Sequence, residues 1–142
     1  MAYTTINKSI DYFNTKLYTG NGGTNAITGV GHQPDLVWLK ERSSAGAGLL
    51  FDAVRGATKF VRSSDAAAEV TAADTLTAFN SDGFTLGADA GNYAANQNSE
   101  TYASWNWKAG AGQGSSNTDG SINTTYTSVN TTAGFSISKY VG

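Results

Sequence analysis

The sequence predicts an all-β fold, an antiparallel β-sandwich, and three observations carry that prediction. Gly and Asn punctuate the chain into short segments rich in Thr, Val, Ile, Phe, Tyr and Trp, the residues that suit a pleated, half-buried surface. Seventeen Gly stand against a single Pro, and charged residues make up only 14%, a balance suited to many short strands joined by tight turns. Several segments alternate with the period of two that a strand imposes on its side chains.

At 142 residues the chain suffices for one ordinary domain with one core. It has no Cys, so packing and hydrogen bonds must hold the fold, no thiolate metal site is available, and the redox compartment stays open. A formal net charge of -2 supplies no basic field for phosphate backbones, which argues against nucleic acid as a partner. No apolar run approaches the roughly 18 residues of a membrane-spanning helix. The opening MAYTTINKSI lacks the apolar stretch of a secretory signal, so synthesis in a cytoplasm with deployment elsewhere is expected.

The clearest hairpins are two. Residues 13–19 turn through Gly20-Asn21-Gly22-Gly23 into residues 24–28, because Asn-Gly supplies the positive φ of a tight turn. Residues 75–79 turn at Asn80-Ser81-Asp82-Gly83 into residues 84–87. The segment DLVWLKE at 35–41 sets Val37 and Leu39 against Leu36 and Trp38, with neither face wholly polar, and so reads as a strand inside a sheet covered on both sides. Residues 49–54 form a second central candidate, with Leu49, Phe51 and Ala53 opposed by Leu50, Asp52 and Val54. In residues 101–108, Ala103, Trp105 and Trp107 share one face and Tyr102, Ser104, Asn106 and Lys108 the other, which predicts the Trp face for the core and the polar face for water. Residues 64–73 are the one stretch compatible with a short helix or an ordered loop.

Residues 1–108 therefore read as the sandwich, and 109–121, rich in Gly, Ser and Asn, as a flexible linker. Residues 122–142 open a second unit or form a terminal clasping strand. FSISKYVG at 135–142 repeats FNTKLYTG at 13–20, with Phe, Tyr and Gly each recurring 122 residues apart. The stretches before them, TTINKS and NTTYTS, are both polar and Thr-rich. Either the chain is a piece of a multi-repeat protein, or this strand is added to an edge of its own sheet or a neighbour's.

The order TGNGGTNAITGVGHQPDLVWLKER, FDAVRGATKFVRS, FNSDGFTLG, YASWNWKAG resembles tandem-repeat structural proteins of marine and cyanobacterial bacteriophages. The likeness spans about residues 12–110 and is most specific in QPDLVWLK, VRGATK and WNWK. It implies a concanavalin-like lectin/glucanase sandwich of jelly-roll type, and a virion component made in the host cytoplasm. It also implies partnership with other virion proteins and copies of itself, with host surface glycans as a further class of partner. A shared fold does not transfer function, since one sandwich hosts lectins, hydrolases and inert assembly units.

Residue by residue, catalysis is not expected. Glycoside hydrolysis needs two carboxylates about 5–10 Å apart across a cleft, whereas Glu41, Glu69 and Glu100 lie in separate segments and Asp52 has Arg55 as its natural partner. His32 is the single His, so a His-based metal site or triad has no visible partners. The turn at 80–83 lacks the further acids of a calcium cage, and the Gly-rich runs lack the Lys-Ser/Thr of a phosphate cradle; no cofactor is expected. Arg55, Lys59 and Arg62 form a basic cluster, read as a solvated face balanced by Asp52 and Asp65 or as cross-subunit ion pairs. For glycan contact the candidates are Tyr93, Asn96, Gln97, Asn98, Tyr102 and Asn106, in the polar loop 89–99 and on the face opposite the Trp residues. The functional expectations are a fibre or appendage module for assembly and attachment, a capsid decoration protein, and, third, a polysaccharide hydrolase.

Overall fold

A computed structural model describes residues 6–142 of the chain, so the start of the TTINKS stretch lies outside the described residues. Eleven strands follow a short 3-10 turn at Ser9–Asp11: β1 (Phe13–Thr19), β2 (Asn25–Ile27), β3 (Leu36–Glu41), β4 (Gly48–Asp52), β5 (Lys59–Arg62), β6 (Val70–Thr71), β7 (Leu76–Asn80), β8 (Gly83–Leu86), β9 (Thr101–Trp107), β10 (Thr124–Asn130) and β11 (Phe135–Tyr140). They form an antiparallel β-sandwich. One sheet has six strands in the order β1-β9-β3-β4-β5-β6, the other three in the order β2-β8-β7, and β10 pairs with β11 as a separate hairpin.

The two sheets close on one apolar core. Val37, Leu39, Leu49, Phe51 and Phe60 come from the large sheet and meet Ile27, Leu76, Phe84 and Leu86 from the small one. Each large side chain buried here contributes about 2 kcal/mol by area removed from water. The aromatic rings add tilted and edge-on contacts, Phe51 to Phe60 at 5.4 Å and Tyr18 to Phe84 at 6.3 Å between centroids.

Strands β3 and β4 are interior to the large sheet, although β3 is not covered on both sides as its pattern predicts. The β7–β8 hairpin also forms where Asn80-Ser81-Asp82-Gly83 turns. Four expectations are corrected. The first hairpin does not exist: β1 pairs with β9 and β2 with β8, so Gly20–Gly23 carries the chain from one sheet to the other. A side chain at Gly20 would collide with the Gln97 carbonyl, and it is this close approach to the 96–97 backbone that the Gly serves. Residues 64–73 take the loop form of the two expected, with the short β6 within it.

The faces of β9 are inverted. Tyr102, Ser104 and Asn106 are fully buried and face the core, whereas Trp105 and Trp107 lie half-buried on the outer face. The polar residues tolerate burial because most of their polar atoms find partners there, Asn106 Oδ1 being left without one among the described residues. The Tyr102 hydroxyl accepts the Gln97 amide at 2.9 Å, and Asn106 Nδ2 donates to the Asn14 carbonyl at 3.0 Å and to Ser104 Oγ at 3.1 Å. By the same inversion β3 is open on its outer side, where Trp38 is 39% exposed.

The fourth correction concerns 109–121. Its first residues are anchored, because the fully buried Asp35 carboxylate accepts the amides of Ala109 at 2.7 Å, Ala111 at 3.0 Å and Gly112 at 2.7 Å. Ser128 Oγ then accepts the Gly110 amide at 2.9 Å and joins β10 to the same point. A flexible tether is therefore replaced there by a carboxylate-bound turn.

Candidate functional site

Four buried acids have their oxygens occupied by the chain itself. Asp35 holds the turn just described. Asp89 accepts the amides of Tyr93, Ala95 and Asn96 and the side chain of Gln97, at 2.8–3.2 Å, and so organises the loop 89–97 around one carboxylate. Asp52 accepts the Arg55 backbone amide at 2.8 Å and the Arg55 guanidinium, the pairing read from sequence. Glu41 accepts the Ser44 hydroxyl at 2.7 Å. Such carboxylates are loop organisers, each gathering donors of its own chain.

These contacts relocate most of the residues expected to bind glycan. Asn96 is fully buried and acts as a hub: its Nδ2 donates to the Gly23 and Gly87 carbonyls, both at 2.7 Å, and its Oδ1 accepts from Asn25 at 2.9 Å and from the Asn21 amide at 3.2 Å. Tyr102 and Asn106 are sealed in the core, so they are not available at the surface. Gln97 is bound to Asp89, and Tyr93 packs edge-on against Phe60 at 5.3 Å. Of the six, Asn98 is the exposed one. No signal in the sequence separates Asn96 from Asn98; the difference lies in which loops converge on it.

The basic cluster is likewise divided. Arg55 binds Asp52, the Leu50 carbonyl at 2.8 Å and Glu69 at 3.6 Å, all within its own chain. Arg62 lies 3.8 Å from Asp65 and Lys59 is half-buried on β5. His32 is buried in its loop and its Nδ1 pairs with the Ile10 carbonyl at 2.8 Å. Among the described residues no group of His, Cys, Asp or Glu could hold a metal ion.

Burial pushes the Tyr102 phenol up to about 12, with Glu41, Asp89 and Glu100 adding to the rise. Burial raises Tyr18 well above its ordinary value too, where it stacks on Tyr102 at 5.0 Å and donates to the Ala95 carbonyl at 2.8 Å. The exposed Asp82 is lowered by the amides of Gly31 and Gly29, which it accepts at 2.6 and 2.9 Å.

The surface with the most chemical character is the outer face of the large sheet. Register places Thr15, Trp105, Trp38 and Leu50 in one row across β1, β9, β3 and β4, and Leu17 beside Ala103 in the next. Trp38 and Trp105 lie 5.2 Å apart, and Leu17 is 63% exposed. One end of this face is covered: Trp107 sits between Phe13 at 5.0 Å and Phe135 of β11 at 6.4 Å.

Two clefts of about 240 Å³ flank that contact. One is apolar, with Ile6, Tyr12 and Phe13 on one side and Ala133 and Phe135 on the other. The second sets Asp52 and Arg55 against Lys139 and Tyr140. Such an arrangement can bind or assemble through aromatic and apolar contact.

No curated protein and no solved structure matches the chain. A family model does, across residues 8–142, so that sandwich, anchored turn and hairpin fall within a single match. The chain belongs to the family described as Domain of unknown function (DUF7483).

Proposed function

We propose that the chain is a non-enzymatic structural module of a bacteriophage virion, part of a fibre or appendage, that assembles with other virion proteins and with copies of itself and contacts host glycans. The observation that carries this reading is the outer sheet face, where Trp38, Trp105 and Leu17 stand open beside the end roofed by β11. Large apolar side chains clustered on a surface are the usual mark of contact with a partner. The engagement of Asp35, Glu41, Asp52 and Asp89 by the chain's own donors supports the non-enzymatic half, since a glycosidase needs carboxylates free to exchange protons. For attachment, Asn98 with the partly open Tyr93 and Gln97 offers the loop surface that remains.

Mass spectrometry of purified phage particles encoding the chain tests the reading. The expected result is its presence at a few copies per particle, with cell-surface glycan binding by the isolated module. Absence from the particle, or release of reducing sugar ends from polysaccharide by the pure protein, overturns it.

A capsid decoration role is the second reading, and one observation favours it. The amino-terminal segment at Ile6 to Tyr12 and the hairpin turn at Ala133 line the same cleft, so two extended pieces lie together at one end of the sandwich, where both can clasp a neighbour. Hundreds of copies per particle would select it.

A further inference from the structure

Strand β11 repeats the residues of β1 that fit β1 to its place, yet the Tyr among them has no comparable place among the described residues. In β1, Phe13 packs on Trp107, Tyr18 enters the core on Tyr102, and Gly20 passes the Gln97 carbonyl too closely for any side chain. The equivalent residues of β11 are Phe135, Tyr140 and Gly142. Phe135 reaches Trp107, the same ring that Phe13 uses. Tyr140, however, is 61% exposed.

The intervening positions agree with the likeness. On the inward side of β1, Asn14 and Lys16 correspond to Ser136 and Ser138, both small and polar. On the outward side, Thr15, Leu17 and Thr19 correspond to Ile137, Lys139 and Val141. The topology permits exchange without unzipping either hairpin strand. Among the described residues β1 is an edge strand, bonded to β9 alone, and β11 is bonded to β10 alone. A β11 placed against β9 would use its open edge while keeping β10 on the other, and would continue the large sheet by one more strand.

We propose that β11 occupies the β1 position on the sandwich of a second copy of this chain. There Tyr140 stacks on Tyr102 and Gly142 takes the close approach that Gly20 makes at home, while the host's own β1 leaves the edge. A heterologous contact of this kind, donor hairpin to acceptor edge, propagates into a row of copies or closes into a ring. It rests on the assembly half of the function proposed above and names the partner and the strand.

The absence of Cys makes the test direct. Leu17 pairs with Ala103 in the β1–β9 register, and Lys139 is the β11 equivalent of Leu17. Two single variants of the 142-residue chain, A103C and K139C, are mixed and oxidised. The expected product is the mixed disulfide, in clear excess over either like-with-like dimer and over a mixture of A103C with S138C, whose position falls on the opposite side of the strand. Sedimentation of the unmodified chain should show concentration-dependent association. Tyr140→Ala and Gly142→Val should each weaken it at least tenfold while leaving the melting temperature of the monomer unchanged, because neither side chain has a packed role there. A chain that stays monomeric at its solubility limit overturns the proposal, as does association unaffected by both variants or crosslinking with no preference for the 103–139 pair. Particle composition decides the virion reading separately, so either can fail without the other.

Discussion

At the residue scale, the chain uses carboxylates where a disulfide-bearing domain would use covalent bonds. Asp89 collects three backbone amides and one side-chain amide. Asp89→Ala leaves those donors buried and unpaired, at a cost of about 3 kcal/mol, and urea denaturation should show the loss. Asp82 acts with the opposite exposure. Its pKa is lowered in the folded state, so its contribution is present above the unfolded value near 3.8 and is lost as pH falls through the lower folded value. Stability measured against pH should therefore fall less steeply on the acid side in Asp82→Asn. For Tyr102 the sign reverses. Its folded pKa is raised, so its contribution is complete below about pH 10 and disappears as pH rises towards about 12. Tyrosinate absorbance should accordingly show Tyr18 and Tyr102 ionising only as the sandwich opens. Sequence reading reached Asp52 with Arg55, because the partners are three residues apart. It did not reach Asp35 with Ala109, which stand 74 positions apart and where the partner is backbone, which carries no residue code.

At the scale of elements, what is legible depends on how local the decision is. The β7–β8 hairpin follows from four turn residues and was readable. The likeness of Gly20–Gly23 to a hairpin turn was misleading, since an Asn-Gly turn permits a reversal without choosing the strand's partner, and here β9 outcompetes β2 for β1. The faces of β9 were misassigned for a chemical reason. Alternation identified two sets, but polarity was taken to mean exposure, whereas inside the core Tyr102 bonds the Gln97 amide and Asn106 Nδ2 bonds Ser104 and the Asn14 carbonyl. The two outer tryptophans then differ in what they support. Trp107→Ala removes a ring packed between Phe13 and Phe135 and should cost about 3 kcal/mol. Trp38→Ala removes a ring with one open face and should cost about 1 kcal/mol or less. Thermal melts of the pair, read side by side, check the contrast.

For the whole molecule, the sandwich class was legible because composition, turn chemistry and period agree across the chain. The arrangement of two unequal sheets was not, because it depends on pairings such as β1 with β9 that span most of the sequence. The open aromatic face had the same cause, being composed of residues from β1, β3 and β9 that only topology brings into rows. Non-local pairing on this scale also predicts slow folding. Stopped-flow refolding should proceed in milliseconds to seconds rather than microseconds, since long loops must close before β9 can zip between β1 and β3.

The knot of amides on Asp35 also decides how the molecule would bear a mechanical load. Asp35 immediately precedes β3, which lies between β9 and β4. A pull on the carboxy-terminal hairpin therefore arrives through Ala109, Ala111 and Gly112 at the root of an inner strand, not at a free margin. Peeling an outermost strand breaks its bonds one after another, whereas drawing on a central one must shear two ladders together, so tension entering here meets the sturdiest part of the sandwich.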